Sequence, residues 1–366
     1  MSRNRNMDIF RSIALLTVMV YHFWVTTGSF SFLSQHLTML VSLGGEIGVT
    51  AFFALSGFGI FCSFRKQEAE NQQCLIKAYI KKRAYRIMPP YYVSIFLTLL
   101  LINANSISRE GIKDIVAHLF FIHNLFPQYH GSINGVLWTM GVIVQFYVIA
   151  PLLYKAFKKH GYLTEIVCIL ITCFLKCLTY RFFLPAAGLG AEYQFIYGRQ
   201  LFTALDNFSI GMFAAWLLYE RRICIHSKIK KNAFLILTLI LGFIVCRGGQ
   251  KYGIHTDNIS GYIWHSCIAM IIGMYMLCIS QYSIDDKNIV ARTLLWLSKY
   301  EYGIYIWHLL IFNNLIATSA VVQNMIDNSM QLLLFFPFLA SAVFCGFLFT
   351  KMTNTISFSR RSKNKC

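Results

Sequence analysis

The sequence predicts an all-α polytopic membrane protein with about ten transmembrane helices and both termini cytoplasmic. Three observations carry this. Of its 366 residues, 57% are hydrophobic and only 13% are charged, about half the charged share of a soluble globule. Apolar runs of about twenty residues, long enough for a helix to cross a hydrocarbon core, recur from end to end. The basic residues gather on alternate connections. With the N-terminus inside, 26 of the 33 lysines and arginines fall on the inner side, as cytoplasmic loops require. Residues 1–356 read as one transmembrane domain and 357–366 as a basic cytoplasmic tail. The formal charge of +18 therefore reads as membrane orientation. Without a zinc finger or other nucleic-acid motif, no nucleic-acid partner is expected. Eleven cysteines lack any Cys-x-x-Cys pair and read as buried free thiols.

The expected spans are 8–27, 43–64, 86–103, 136–155, 163–184, 202–219, 232–247, 260–280, 296–316 and 329–350. The first holds Asp8 and Arg11 at its start and His22 near its far end. On a helix Arg11 and His22 are roughly 16 Å apart and share a face. An ionisable residue at membrane depth needs water, a partner or a cavity, so this helix reads as one wall of a polar site. Basic residues before it resemble a signal peptide. The Arg-to-His pair and the lack of a clear cleavage pattern argue that it stays.

The second span carries Ser56, Gly57 and Gly59, small residues suited to close helix packing. Before the third lies the most basic connection, ending in Lys82, Arg83 and Arg86. Arg83 and Arg86 share a helix face. They suit lipid phosphate or a clamp for a phosphorylated cytoplasmic donor. Pro89 and Pro90 are expected to break or redirect the helix there. The short apolar segment Asp114 to Phe126 reads as re-entrant or interfacial. His118, His123 and His130 are irregularly spaced, and no metal is expected.

In the fourth span Trp138 reads as an interfacial anchor or a wall of an acceptor site. Gln145 needs a partner, and Tyr147 is the candidate. Tyr193 to Arg199 forms an outer polar patch. Asp206 and Asn207 then face an acceptor or cap a helix. The ninth span holds Glu301 near its inner end, then Tyr305 and His308. Two histidines at membrane depth, His22 and His308, point to a site more strongly than either alone.

Taken together, Asp8-x-x-Arg11, the Arg11-to-His22 spacing, Phe52-Phe53-Ala-Leu-Ser-Gly57, Arg83-Ala-Tyr-Arg86, Trp138 to Pro151 and Tyr302-Gly-Ile-Tyr-Ile-Trp-His308 resemble the membrane-bound acyltransferase-3 family. The resemblance implies ten or so helices and transfer of an acyl group, usually acetyl, from cytoplasmic acetyl-CoA. The implied acceptor is a hydroxyl, typically on a cell-envelope or exported glycan, and the implied location is the bacterial cytoplasmic membrane. The implied acyl-CoA site takes Arg83 and Arg86, with Lys82 beside them. One departure stands out: Ile143 lies where the family often has glutamate.

Transfer to a hydroxyl needs a base, donors for an oxyanion and proximity. His22 is the expected base, with Arg11 bracing the cavity or holding donor phosphate and Asp8 orienting its guanidinium. Trp138, Gln145, Tyr147, His308 and Tyr305 are expected to support the site or the acceptor. Direct transfer and an acyl-enzyme on His22 both stay open, as does the oligomeric state. A rival reading is a transporter of a polar solute or glycan. A second is a non-catalytic partner in envelope synthesis.

Overall fold

The structure, a computed structural model, describes residues 4–30, 34–70, 75–101, 109–285 and 287–363. The expected tail's residues 364–366 and basic Arg3 lie outside the described residues. The helices are α1 (Arg5–Thr26), α2 (Gln35–Ser42), α3 (Gly44–Ala69), α4 (Leu75–Leu101), α5 (Arg109–Leu119), α6 (Trp138–Leu178), α7 (Leu184–Ala186), α8 (Gln194–Tyr197), α9 (Leu205–Tyr219), α10 (Lys228–Tyr252), α11 (Ile259–Ile279), α12 (Ile289–Leu297), α13 (Glu301–Thr318), α14 (Ala320–Asp327) and α15 (Gln331–Lys363). Among the described residues there is no strand.

The chain is inverted relative to a soluble globule. Large apolar side chains such as Val148, Leu152 and Phe336 lie on the outside, while Asp8, Glu46, Glu165, Lys176, Asp206 and His308 are buried. That arrangement suits hydrocarbon around a bundle whose polar groups turn inward. Among the described residues six helices are long and apolar enough to cross a membrane, or up to eight if each of two bent pairs counts as one span.

The difference from ten has a local cause. Helix α4 is 27 residues long, but its first half carries the basic cluster. The fourth and fifth expected spans form one 41-residue run, interrupted at His160 (φ −132°, ψ 27°). Unbent, that run would reach about 60 Å, twice the hydrocarbon thickness.

Helix α1 packs on α3, α12 and α13. Asn4 is its N-cap and accepts from the Asn6 backbone N–H. The Asn4 and Asn6 amides donate to the carbonyls of Ser280 and Tyr282, and Ser12 donates to the Leu294 carbonyl at 2.6 Å. Helices α3 and α9 meet backbone to backbone. A Cβ on Gly57 would stand 2.0 Å from the Phe208 carbonyl oxygen, so Gly57 serves close packing, whereas Gly59 has open space beside it and lines a cavity with Ser56.

Two expectations change here. The basic connection before α4 is mostly helix, because α3 runs to Ala69 and α4 starts at Leu75. Pro89 and Pro90 do not break α4. Arg83 and Arg86 are therefore fixed on a continuous helix.

Candidate active site

A cavity of about 490 Å³ enters the bundle at the end that carries Asn4, Lys66 and Lys82. Its mouth is cationic, with Lys66, Lys82, Arg83 and Arg86. Lys82 and Arg86 are exposed and Arg83 is half-buried. Arg83 donates from Nη2 to the Gly59 carbonyl at 3.4 Å. Its guanidinium lies over the rings of Tyr79 at 5.7 Å and Tyr147 at 5.4 Å, and its Nε is buried without a partner. Such a held fork suits a phosphate oxygen. Deeper in, Phe52, Phe53, Met140 and Ile143 make the wall apolar.

Arg11 lines the same cavity but is already matched. It pairs with Asp8 at 3.3 Å and through Nε with Glu301 at 3.2 Å. Two carboxylates on one guanidinium make it a brace tying α1 to the first turn of α13. Because Ile143 faces this space, the cavity's carboxylates are Asp8 and Glu301.

At the inner end Thr139 donates to the Val136 carbonyl at 2.8 Å. Its hydrogen is thereby committed, so the 3.1 Å contact to Tyr305 has the Tyr305 hydroxyl as donor. One turn further along α13 stands His308, fully buried. Its Nδ1 lies 2.8 Å from the Tyr305 carbonyl oxygen, and its Nε2 lies 2.9 Å from Nδ1 of His22. A carbonyl only accepts, so His308 carries its proton on Nδ1. Neutral His308 then accepts at Nε2, and His22 must donate from Nδ1. Nε2 of His22 is left with an unprotonated lone pair. The two expected histidines meet as an oriented pair, though neither lines the cavity, which stops at Tyr305.

The other expected residues divide. Tyr147 lines the cavity. Gln145 does not pair with it: its amide donates to the Phe121 carbonyl and to Oδ1 of Asn124, both at 3.0 Å. The reason is register, since α6 turns Gln145 toward the segment after α5. Trp138 stacks on His130 at 5.3 Å and 18°, with Arg199 over its ring at 5.0 Å. Asp206 and Asn207 are buried in the first turn of α9. His118 and His123 stack at 3.9 Å. Burial, and then His118 beside it, push the His123 imidazole down to about 3.

A second polar cluster joins Arg199 of the expected outer patch to three residues that were not among the expected ones. Glu46, in the first turn of α3, accepts from Nε2 of His255 at 2.9 Å and Nε2 of His265 at 3.1 Å, and pairs with Arg199. Two signals in the sequence pointed there. Glu46 and His265 are ionisable residues inside apolar windows, and Arg199 belongs to the outer polar patch.

A family model described as an acyltransferase domain matches residues 4–351. Three relatives are each 24% identical. "Putative acetyltransferase ORF330" of Acidianus two-tailed virus matches over 82% of this chain and 81% of its own length. "Putative peptidoglycan O-acetyltransferase YrhL" of Bacillus subtilis (strain 168) matches over 82% of this chain and 47% of its own length. "O-acetyltransferase OatA" of Staphylococcus aureus (strain NCTC 8325 / PS 47) matches over 84% of this chain and 51% of its own length. The chain thus spans about half the length of these two bacterial relatives. No solved structure matches. An all-helical bundle with apolar spanning helices and a model match over nearly its whole length together mean that this chain belongs to the acyltransferase-3 family.

Proposed function

We propose that this chain is a membrane O-acetyltransferase that moves acetyl from cytoplasmic acetyl-CoA to a hydroxyl of a cell-envelope or exported glycan. The observation that carries the reading is the alignment of a cationic-mouthed cavity with the His22–His308 pair beyond its inner end. Phosphates of the donor rest on Lys82, Arg83 and Arg86, and the pantetheine arm follows the apolar wall toward Tyr305. The topology belongs to the same proposal: ten crossings, with α4 counted and α6 divided at His160, and both termini cytoplasmic.

In the chemical step Nε2 of His22 takes the proton of the acceptor hydroxyl. The oxygen attacks the thioester carbon, the C–S bond breaks, and the leaving thiolate takes a proton, returning His22 to its neutral state. His308 holds the His22 tautomer and accepts from Nδ1–H as positive charge builds on the ring. For donor and base to meet, the Tyr305–Thr139 hydrogen bond must open, because the cavity ends there. Purified protein with labelled acetyl-CoA tests the reading. Label moved to an added glycan, or held on the protein and then chased to glycan, supports it. Movement of a solute across CoA-free vesicles without acetyl transfer would replace it with a transporter.

A further inference from the structure

We propose that Glu46, His255 and His265 form a site for a divalent transition metal, with zinc as the ion the donor set favours. They come from three separate places: the first turn of α3, the turn before α11, and α11 itself. Their ligand atoms all lie within 4.8 Å of one another. Around a tetrahedral zinc, ligand atoms sit roughly 3.3 Å apart; here Nε2 of His255 lies 2.9 Å from Oε1 of Glu46 and Nε2 of His265 lies 3.1 Å from Oε2. Two histidines and one carboxylate are a familiar zinc set with one position left for an exchangeable ligand. A void of about 10 Å³ borders Glu46, His265, Arg199 and Trp138, about the space of one water.

A second observation sets this cluster apart from an ordinary ion pair. Nδ1 of His255 and Nδ1 of His265 are both buried without a hydrogen-bond partner. Each ring's hydrogen bond runs from Nε2 to Glu46, and the two rings pack on each other at 5.3 Å. Metal on the two Nε2 atoms takes the place of their hydrogens and moves each ring's proton to Nδ1; the binding energy of a shared cation offsets the cost of that buried N–H. Arg199 pairs with Glu46 and stacks over Phe195 at 3.7 Å. Its charge beside the metal favours an anionic oxygen, such as hydroxide, carboxylate or phosphate, as the fourth ligand.

The site stands apart from the acyl-transfer reading, so its test does not depend on turnover. The full chain, carrying a tag free of histidine, is purified in detergent from zinc-supplemented cells, and its metal is measured by mass spectrometry. Metal-free protein is then titrated with Co²⁺ and read by d–d absorption. About one zinc per chain and a tetrahedral cobalt band are expected. Both are lost in His265→Gln and Glu46→Gln and kept in His226→Gln, an exposed histidine outside the cluster. Background zinc with no cobalt band in the unaltered protein overturns the proposal and leaves an ion-pair cluster. Unchanged stoichiometry in a folded His265→Gln overturns it equally. If the variants fail to fold, the cobalt titration of the unaltered protein decides.

Discussion

Replacing His308 tests the orientation logic most directly. His308→Ala removes the Nε2 that accepts from Nδ1 of His22 at 2.9 Å. A neutral hydrogen bond is worth about 0.5–1.5 kcal/mol and one to a charged partner about 1.5–3 kcal/mol. His22 becomes charged as it takes the acceptor proton, so the second range applies, and turnover should fall about 10- to 160-fold. His22→Ala removes the base itself and should cost about 10²–10⁴. His308→Gln keeps an acceptor at the Nε2 position and should recover much of the loss, which a purely packing role for His308 would not allow. The assay is acetyl turnover against a glycan acceptor, with acetyl-CoA affinity measured in parallel and expected to hold. Unchanged turnover in His308→Ala would refute the pairing. An inactive His308→Ala beside an active His22→Ala would move the base to α13.

The remaining predictions concern the donor, the topology, the packing and the barrier. Arg83→Ala and Arg86→Ala should each weaken acetyl-CoA binding by about tenfold or more; unchanged calorimetry in the folded double variant would leave them as lipid anchors. A cysteine at Lys81 should resist membrane-impermeant maleimide added outside sealed cells, and outside labelling would invert the topology. Gly57→Ala should destabilise the α3–α9 contact by about 1–3 kcal/mol, because its Cβ meets the Phe208 carbonyl oxygen; an unchanged thermal midpoint in detergent would contradict that close approach. Tyr305→Phe removes the donor to Thr139 and should raise acceptor-independent hydrolysis of acetyl-CoA; hydrolysis at the unaltered level would mean that Tyr305 does not close the cavity.

The sequence revealed what depends on periodicity and spacing. Arg11 and His22 share a face of α1, and both do reach α13, at Glu301 and His308. The cluster Lys82, Arg83 and Arg86 lies at the mouth of the cavity. What it did not reveal depends on tertiary partners. Gln145 reads as matched with Tyr147, two residues on, whereas its acceptors lie in a connecting segment some twenty residues earlier in the chain. Pro89 and Pro90 read as a break, yet α4 runs through them. Glu46, His255 and His265 are scattered over more than two hundred residues, and no spacing rule joins them.

The two polar regions are separated by a wall that both share. Val49 and Phe53 line the large cavity and the small void beside Glu46. Phe53 stacks on Phe208 at 4.3 Å and 16°, and Phe208 on Phe146 at 4.0 Å and 14°. Three rings in register inside a close-packed core cannot turn singly without opening voids, so this part of the wall is fixed. Tyr305 differs, since its hydroxyl is tied across the cavity's inner end through Thr139. Such a tie is worth about 0.5–1.5 kcal/mol, little enough for thermal opening. If acetyl crosses from the cationic mouth to the histidine pair, Tyr305 is therefore the side chain that must move, and Phe53 the one that must not.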